Sequence, residues 1–220
     1  MPQFAQKFAC GSGPLSAFVL VSTMLLCAVC SPPARAQGDA PQQPHREVHF
    51  ETGASIGNLH LFAYDDNRAL HPVGVEYDRP WVRSVLKGNL QYVSEVLPII
   101  ILSAAPRVAE GSPAPGSARK HQYGFGLAPA GFRLLWRETG LLQPYFGMKG
   151  GAAYFMNRVA NGQGTRMQLL AEFSAGAEKA LSNRWGFRAG FSDFHMAGIG
   201  SGRHQASDFL YFNGGVSYRF

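Results

Sequence analysis

His195 and Asp208 are of the residue types that move protons, an imidazole and a carboxylate, and they lie close together near the end of a 220-residue chain. Asp193, His195 and Ala197 continue the alternation of Trp185, Phe187 and Phe191, so the imidazole falls on the apolar face of its segment. Asp208 opens the following segment with the parity of Leu210 and Phe212. Across the twelve-residue connection 196–207 it is therefore expected to emerge beside His195 on that same face. A polar group facing hydrocarbon is costly unless it is paired or near the interface. Such a pair is a candidate for function, the alternative being a headgroup-level pair that only marks the interface.

The elements that must position this pair have a period of two. In Asp208 to Phe220, Leu210, Phe212, Gly214, Val216, Tyr218 and Phe220 share one face, while Asn213, Gly215, Ser217 and Arg219 share the other. Arg184 to Ala197 repeats the pattern, with Phe187 and Phe191 opposite Arg184, Arg188 and Ser192. So do Met167 to Lys179 and Gln143 to Met156, with Leu169 and Phe173 opposite Gln168 and Glu172, and Phe146 and Met148 opposite Lys149. Tyr123 to Arg137 changes phase near Pro129, which predicts a bulge there. With Gly88 to Leu102, Pro72 to Asp78 and Glu47 to Gly57, the count is eight strands.

Eight strands with one apolar and one charged face fit an all-β, eight-stranded antiparallel transmembrane barrel of the outer-membrane type, its polar side chains filling the lumen. Glu76, Glu95, Arg133, Lys149, Glu172, Arg188 and Arg219 would be the compensating charges inside. A soluble lipocalin-like barrel is the alternative and would reverse the faces. The membrane version is favoured by Phe220 on the apolar face, by aromatics near strand ends, and by alternating connection lengths. Residues 138–142 and 180–183 are short, as periplasmic turns are, whereas 58–71, 103–122, 157–166 and 196–207 are longer, as external loops are.

Composition removes other classes. With 46% apolar and 15% charged residues the chain is neither disordered nor fibrous, and beyond the first thirty residues no uncharged apolar stretch is long enough for a spanning helix. Residues 1–36 read as a cleaved signal peptide: Lys7, an apolar run from Leu15 to Cys30, then Ala34-Arg35-Ala36 before Gln37. Residues 37–46 read as a flexible leader and 47–220 as one barrel. Cys10, Cys27 and Cys30 all lie in the signal, so no thiol nucleophile, disulfide or cysteine metal site is expected in the mature chain. What remains carries eighteen basic against fourteen acidic residues, a balance of +4. Arg107, Arg119, Lys120, Arg158, Arg166 and Arg203 face only Glu110 across the last three long loops. A positive outer rim suits a phosphate-bearing glycolipid; a merely solvated rim is the alternative.

The run His195-Met196-Ala197-Gly198-Ile199-Gly200-Ser201-Gly202, followed by Asp208, resembles the His-x-Ser-Asn-Ala-Gly-x-Gly segment and following acid of the lipid A 3-O-deacylase family. Gly88 to Pro98, Tyr123 to Phe132, Gly150 to Phe155 and Glu172 to Ala177 also resemble that family, so the likeness spans most of residues 46–220. It implies an eight-stranded outer-membrane barrel that hydrolyses an ester-linked acyl chain of lipid A with a Ser-His-acid triad on its outer surface. On that alignment His195 matches the base and Asp208 the orienting acid. The nucleophile position is Ala197, and the family's next asparagine, a candidate oxyanion donor, is Gly198.

Alanine offers no nucleophile, so the usual serine mechanism is not expected to run. Ser201 is the substitute the loop offers, four residues too late and off the strand, and Ser192 points into the lumen by parity. Two function classes follow: a lipid A ester hydrolase, and a non-catalytic barrel associated with lipopolysaccharide or serving a structural role. Position 197 separates them. The expected partner in either case is lipid A or lipopolysaccharide in the outer membrane rather than nucleic acid, with no cofactor and no metal.

Overall fold

The computed structural model describes residues 46–55, 68–104, 120–136, 142–159, 165–199 and 206–220. Within them the chain forms β1 (Glu47–Ser55), β2 (Arg68–Val85), β3 (Gly88–Ala104), β4 (Lys120–Leu135), β5 (Gln143–Phe155), β6 (Met167–Ala180), β7 (Trp185–Gly198) and β8 (Ala206–Arg219). Each strand pairs antiparallel with its neighbours in sequence, and β1 closes onto β8 from Glu47 opposite Arg219 to Ser55 opposite Tyr211. Closure leaves no free sheet edge, the condition for a sheet to sit in hydrocarbon. No helix among the described residues is long and apolar enough to cross a membrane. The signal and leader readings for residues 1–45 lie outside the described residues, as do Arg107, Glu110, Arg119, Ser201 and Arg203.

Some strands are longer than their alternation alone predicts, β2 above all, while the described part of β1 ends at Ser55, two residues short of the expected Gly57. β2 runs from Arg68 to Val85 rather than Pro72 to Asp78, and β7 and β8 extend into the connection expected at 196–207, which shortens to 199–205. The β2–β3 turn is Leu86-Lys87, both left-handed, with φ of 47° and 62°. Such two-residue turns usually announce themselves by Asn-Gly or Asp-Gly, so this one carried no sequence signal. The bulge expected at Pro129 is present: the β4–β5 register shifts between Leu127 and Ala130.

The outer wall is apolar, with aromatic pairs toward both ends. At the short-turn end Trp81 stacks on Phe132 with centroids 5.1 Å apart, and Trp185 meets Tyr218 edge-on at 5.1 Å. At the other end Phe125 lies 5.8 Å from Tyr154. Aromatic girdles flanking an apolar band are what a membrane-spanning barrel presents to its two interfaces.

The lumen has two layers. Toward the short turns it holds ion pairs: Arg133 with Glu76 at 2.6 Å and with Asp78, Arg188 with Asp78 at 2.9 Å, and Arg219 with Glu47 at 2.9 Å and Glu178 at 2.6 Å. Lys149 reaches Glu95 at 2.7 Å, Glu51 and Glu76 at 3.2 Å, and Glu172 at 3.4 Å. Every inward charge expected from parity is here. Toward the long connections the expectation of a polar filling fails. Leu70, Leu97, Ile100, Leu102, Phe155, Phe194, Met196, Phe209 and Tyr211 form a buried apolar cluster inside the barrel. Phe194 and Phe209 occupy the inward parity that, lower down the same strands, carries Arg188 and Arg219.

Candidate functional site

β7 and β8 bring His195 and Asp208 into direct register, as cross-strand partners. The Nδ1–H of His195 donates to Oδ1 of Asp208. The Asp208 side chain has no solvent exposure, while about a third of the His195 side chain, 32%, is open. A carboxylate accepts and does not donate, so in the neutral ring this bond puts the proton on Nδ1 and makes Nε2 the acceptor. Among the described residues the imidazole hydrogen-bonds to Asp208 alone.

The position follows from local strand geometry. Side chains alternate across the wall, and Phe194 and Met196 are buried in the lumen cluster, so His195 between them is turned outward. Phe209 and Tyr211 do the same for their neighbours Asp208 and Leu210. His195 stands three residues before the end of β7 and Asp208 two after the start of β8. The pair therefore sits at the end of the wall that carries the long connections.

Around it the outer face carries small and apolar groups, with one further acid, Asp193. Ala171 of β6 lies opposite His195 on the other side, and Ala197 follows on the same strand, opposite Leu169 and Ala206. Residues two apart on a strand are separated by about 6.7 Å, so position 197 is the neighbour from which a strand-borne hydroxyl would approach the ring. It carries a methyl group. Ser192 is inward and accepts a hydrogen bond from Asn213 Nδ2 at 2.8 Å, and Ser207 accepts one from Arg68 at 3.3 Å, also from inside. Neither reaches the outer face. Asp193, two residues before His195, is a second buried carboxylate on this face, opposite Phe173 and Leu210. Parity announced its direction, but its near-complete burial had no sequence signal.

Among the described residues two lumen groups bring possible metal donors together, Glu47 with His49 and Glu178, and His49 with Glu76 and Asp78. Their carboxylates are already engaged by Arg133, Arg188 and Arg219, and Arg188 also approaches His49 Nε2 at 2.7 Å. The fold supplies its own cations there, so this donor set reads as an ion-pair network.

No protein-family model matches the chain, and no curated protein does. Among solved structures it is similar to the outer membrane enzyme PagL, with 16% identity and a TM-score of 0.51 over 77% of this chain and 97% of that one. It also aligns with the outer membrane protein OprG from Pseudomonas aeruginosa, at 9% identity and a TM-score of 0.46 over 81% of this chain and 97% of that one. The N-terminal β-barrel domain of Pseudomonas aeruginosa OprF aligns at 16% identity and a TM-score of 0.40, over 81% and 100%. The likeness to PagL establishes a shared fold: a closed eight-stranded antiparallel barrel of the outer-membrane type.

Proposed function

We propose that the chain is an outer-membrane barrel whose loop-end wall on β7 and β8 engages lipid A, as in the lipid A 3-O-deacylases it resembles, with their serine-dependent route closed. The observation that carries this reading is the outward pair of His195 and Asp208 beside Ala197. Ionisable side chains on the apolar outer wall of a membrane barrel are functional candidates by default, even when they are paired. The fold shared with PagL, a lipid A 3-O-deacylase barrel, supports the same reading. So do Lys120, Arg158 and Arg166, exposed at the long-connection end, where phosphate groups of lipopolysaccharide would lie.

On this proposal the chain is exported by its signal peptide and resides in the outer membrane, with its long connections outside. Ala197 specifically favours the neighbouring reading, a barrel that holds lipopolysaccharide without changing it. The test is selective retention. Full-length protein is reconstituted with equal amounts of lipid A and phosphatidylcholine and repurified, and its bound lipids are measured by mass spectrometry. Lipid A is expected in excess, reduced when Lys120, Arg158 and Arg166 are replaced together by serine. Retention of the two lipids in the proportion supplied would overturn the proposal.

A further inference from the structure

We infer that His195 and Asp208 form a water-activating dyad that hydrolyses an acyl ester at the loop end of the wall directly, without an acyl-enzyme. The inference rests on the lipid A reading above and adds a reaction to it.

Three observations lead there. The bond from Nδ1 to Asp208 leaves Nε2 as the basic nitrogen of the ring, and the part-open imidazole makes it reachable from the membrane interface. Asp208 is fully enclosed and bonded to the ring, so its carboxylate orients the imidazole and steadies the imidazolium that proton uptake creates. Of the outward neighbours of His195, Ala171, Ala197, Leu169 and Phe173 bear no hydroxyl, and Asp193 is a buried carboxylate with no proton for a base to remove. The nucleophile that meets Nε2 on this face therefore comes from outside the strands, and water is the one always supplied at an interface.

The step balances without a co-reactant. A water oxygen bonds to the acyl carbonyl carbon as one of its protons passes to Nε2. The tetrahedral intermediate then collapses, the bond from carbon to the ester oxygen breaks, and that oxygen takes the proton back from Nε2. Fatty acid and alcohol result, and the dyad is regenerated. His195 is the catalytic residue and Asp208 a positioning residue, acting through the ring. The chemistry requires an acyl ester at the headgroup level, which both lipid A and a glycerophospholipid contain.

The experiment measures fatty acid released by the full-length protein from mixed micelles of lipid A and, in a separate arm, of phosphatidylcholine. Intact-protein mass is followed during turnover. Release from lipid A is expected, slow beside a serine esterase. It should fall about 100-fold in His195→Gln, the low end of what a general base contributes. Asp208→Asn should lower kcat while leaving KM unchanged, which a merely structural loss would not do. Wild type should carry no acyl adduct, Ala197→Ser should acquire one, and Ser201→Ala should release at the wild-type rate. Strand circular dichroism checks that each variant is folded.

An acyl adduct on wild type, or loss of release in Ser201→Ala, would overturn the inference in favour of a covalent route. Release that does not depend on His195, or no release while lipid A is still selectively retained, would overturn it and leave the binding proposal standing. Hydrolysis confined to the phosphatidylcholine arm, with no selective retention of lipid A, would instead overturn the lipid A reading on which it rests.

Discussion

The barrel keeps ionised side chains in two places, and it treats them differently. In the lower lumen each cation is shared among several acids: Lys149 lies within 3.4 Å of Glu51, Glu76, Glu95 and Glu172, and Arg188 contacts Glu76, Asp78 and Glu178. On the outer wall the enclosed Asp208 carboxylate holds the His195 imidazole, which is 32% open. A cluster in which partners are multiply shared, placed where no lipid reaches, serves closure of the barrel. The pair on the outer wall, with its imidazole part-open, takes no part in that sharing.

The comparison can be broken most severely from the lumen side. Arg188→Met removes a guanidinium that is 3% exposed and leaves Glu76, Asp78 and Glu178 short of a cation. A loss of about 3–5 kcal/mol is expected from stranding buried charge, read as a lower urea midpoint for unfolding in detergent. An unchanged midpoint would mean that Arg133 and Arg219 suffice, and that the sharing is not structural. Phe194→Ala, in the apolar layer above, should cost a comparable 3–5 kcal/mol by opening a cavity. A much smaller loss would show that the upper lumen is loosely packed.

The wall pair should behave in the opposite sense. Replacing both partners, His195→Phe with Asp208→Leu, exchanges a polar pair for lipid-compatible side chains and should stabilise the barrel by about 1–2 kcal/mol in the same urea titration. Destabilisation would class the pair with the lumen network rather than with function. The smallest effect is at the turn. Lys87 sits at a left-handed φ of 62°, so Lys87→Gly should gain about 0.5–1 kcal/mol, a small rise in midpoint that sharpens the scale on which the wall pair is judged.

Much of the site was legible because it depends on parity, and parity is local. Outward His195 follows from the alternation of Trp185, Phe187 and Phe191, and outward Asp208 from Leu210 and Phe212. The bulge at Pro129 was legible for a related reason: proline cannot donate to the ladder, so the alternation must slip beside it. The Leu86-Lys87 turn was not, since neither side chain advertises a positive φ. Nor was the apolar upper lumen, because an inward Phe194 or Phe209 reads as an exception within a strand until strands far apart are seen to supply Leu70, Leu97 and Ile100 at the same height.

The sequence by itself determined the number of strands, the two faces of β4 to β8 and the adjacency of His195 and Asp208, because a period of two and a short connection settle these within one or two strands. Tertiary structure alone decided which acid meets which base inside. Arg219 finds Glu47 from 172 residues away, and Arg133 finds Glu76 from 57, only because β1 closes onto β8 and fixes the height of every strand against the others. It also decided that Asp208 is wholly enclosed while His195 is not, since enclosure depends on what neighbouring strands place beside a residue and not on its own parity.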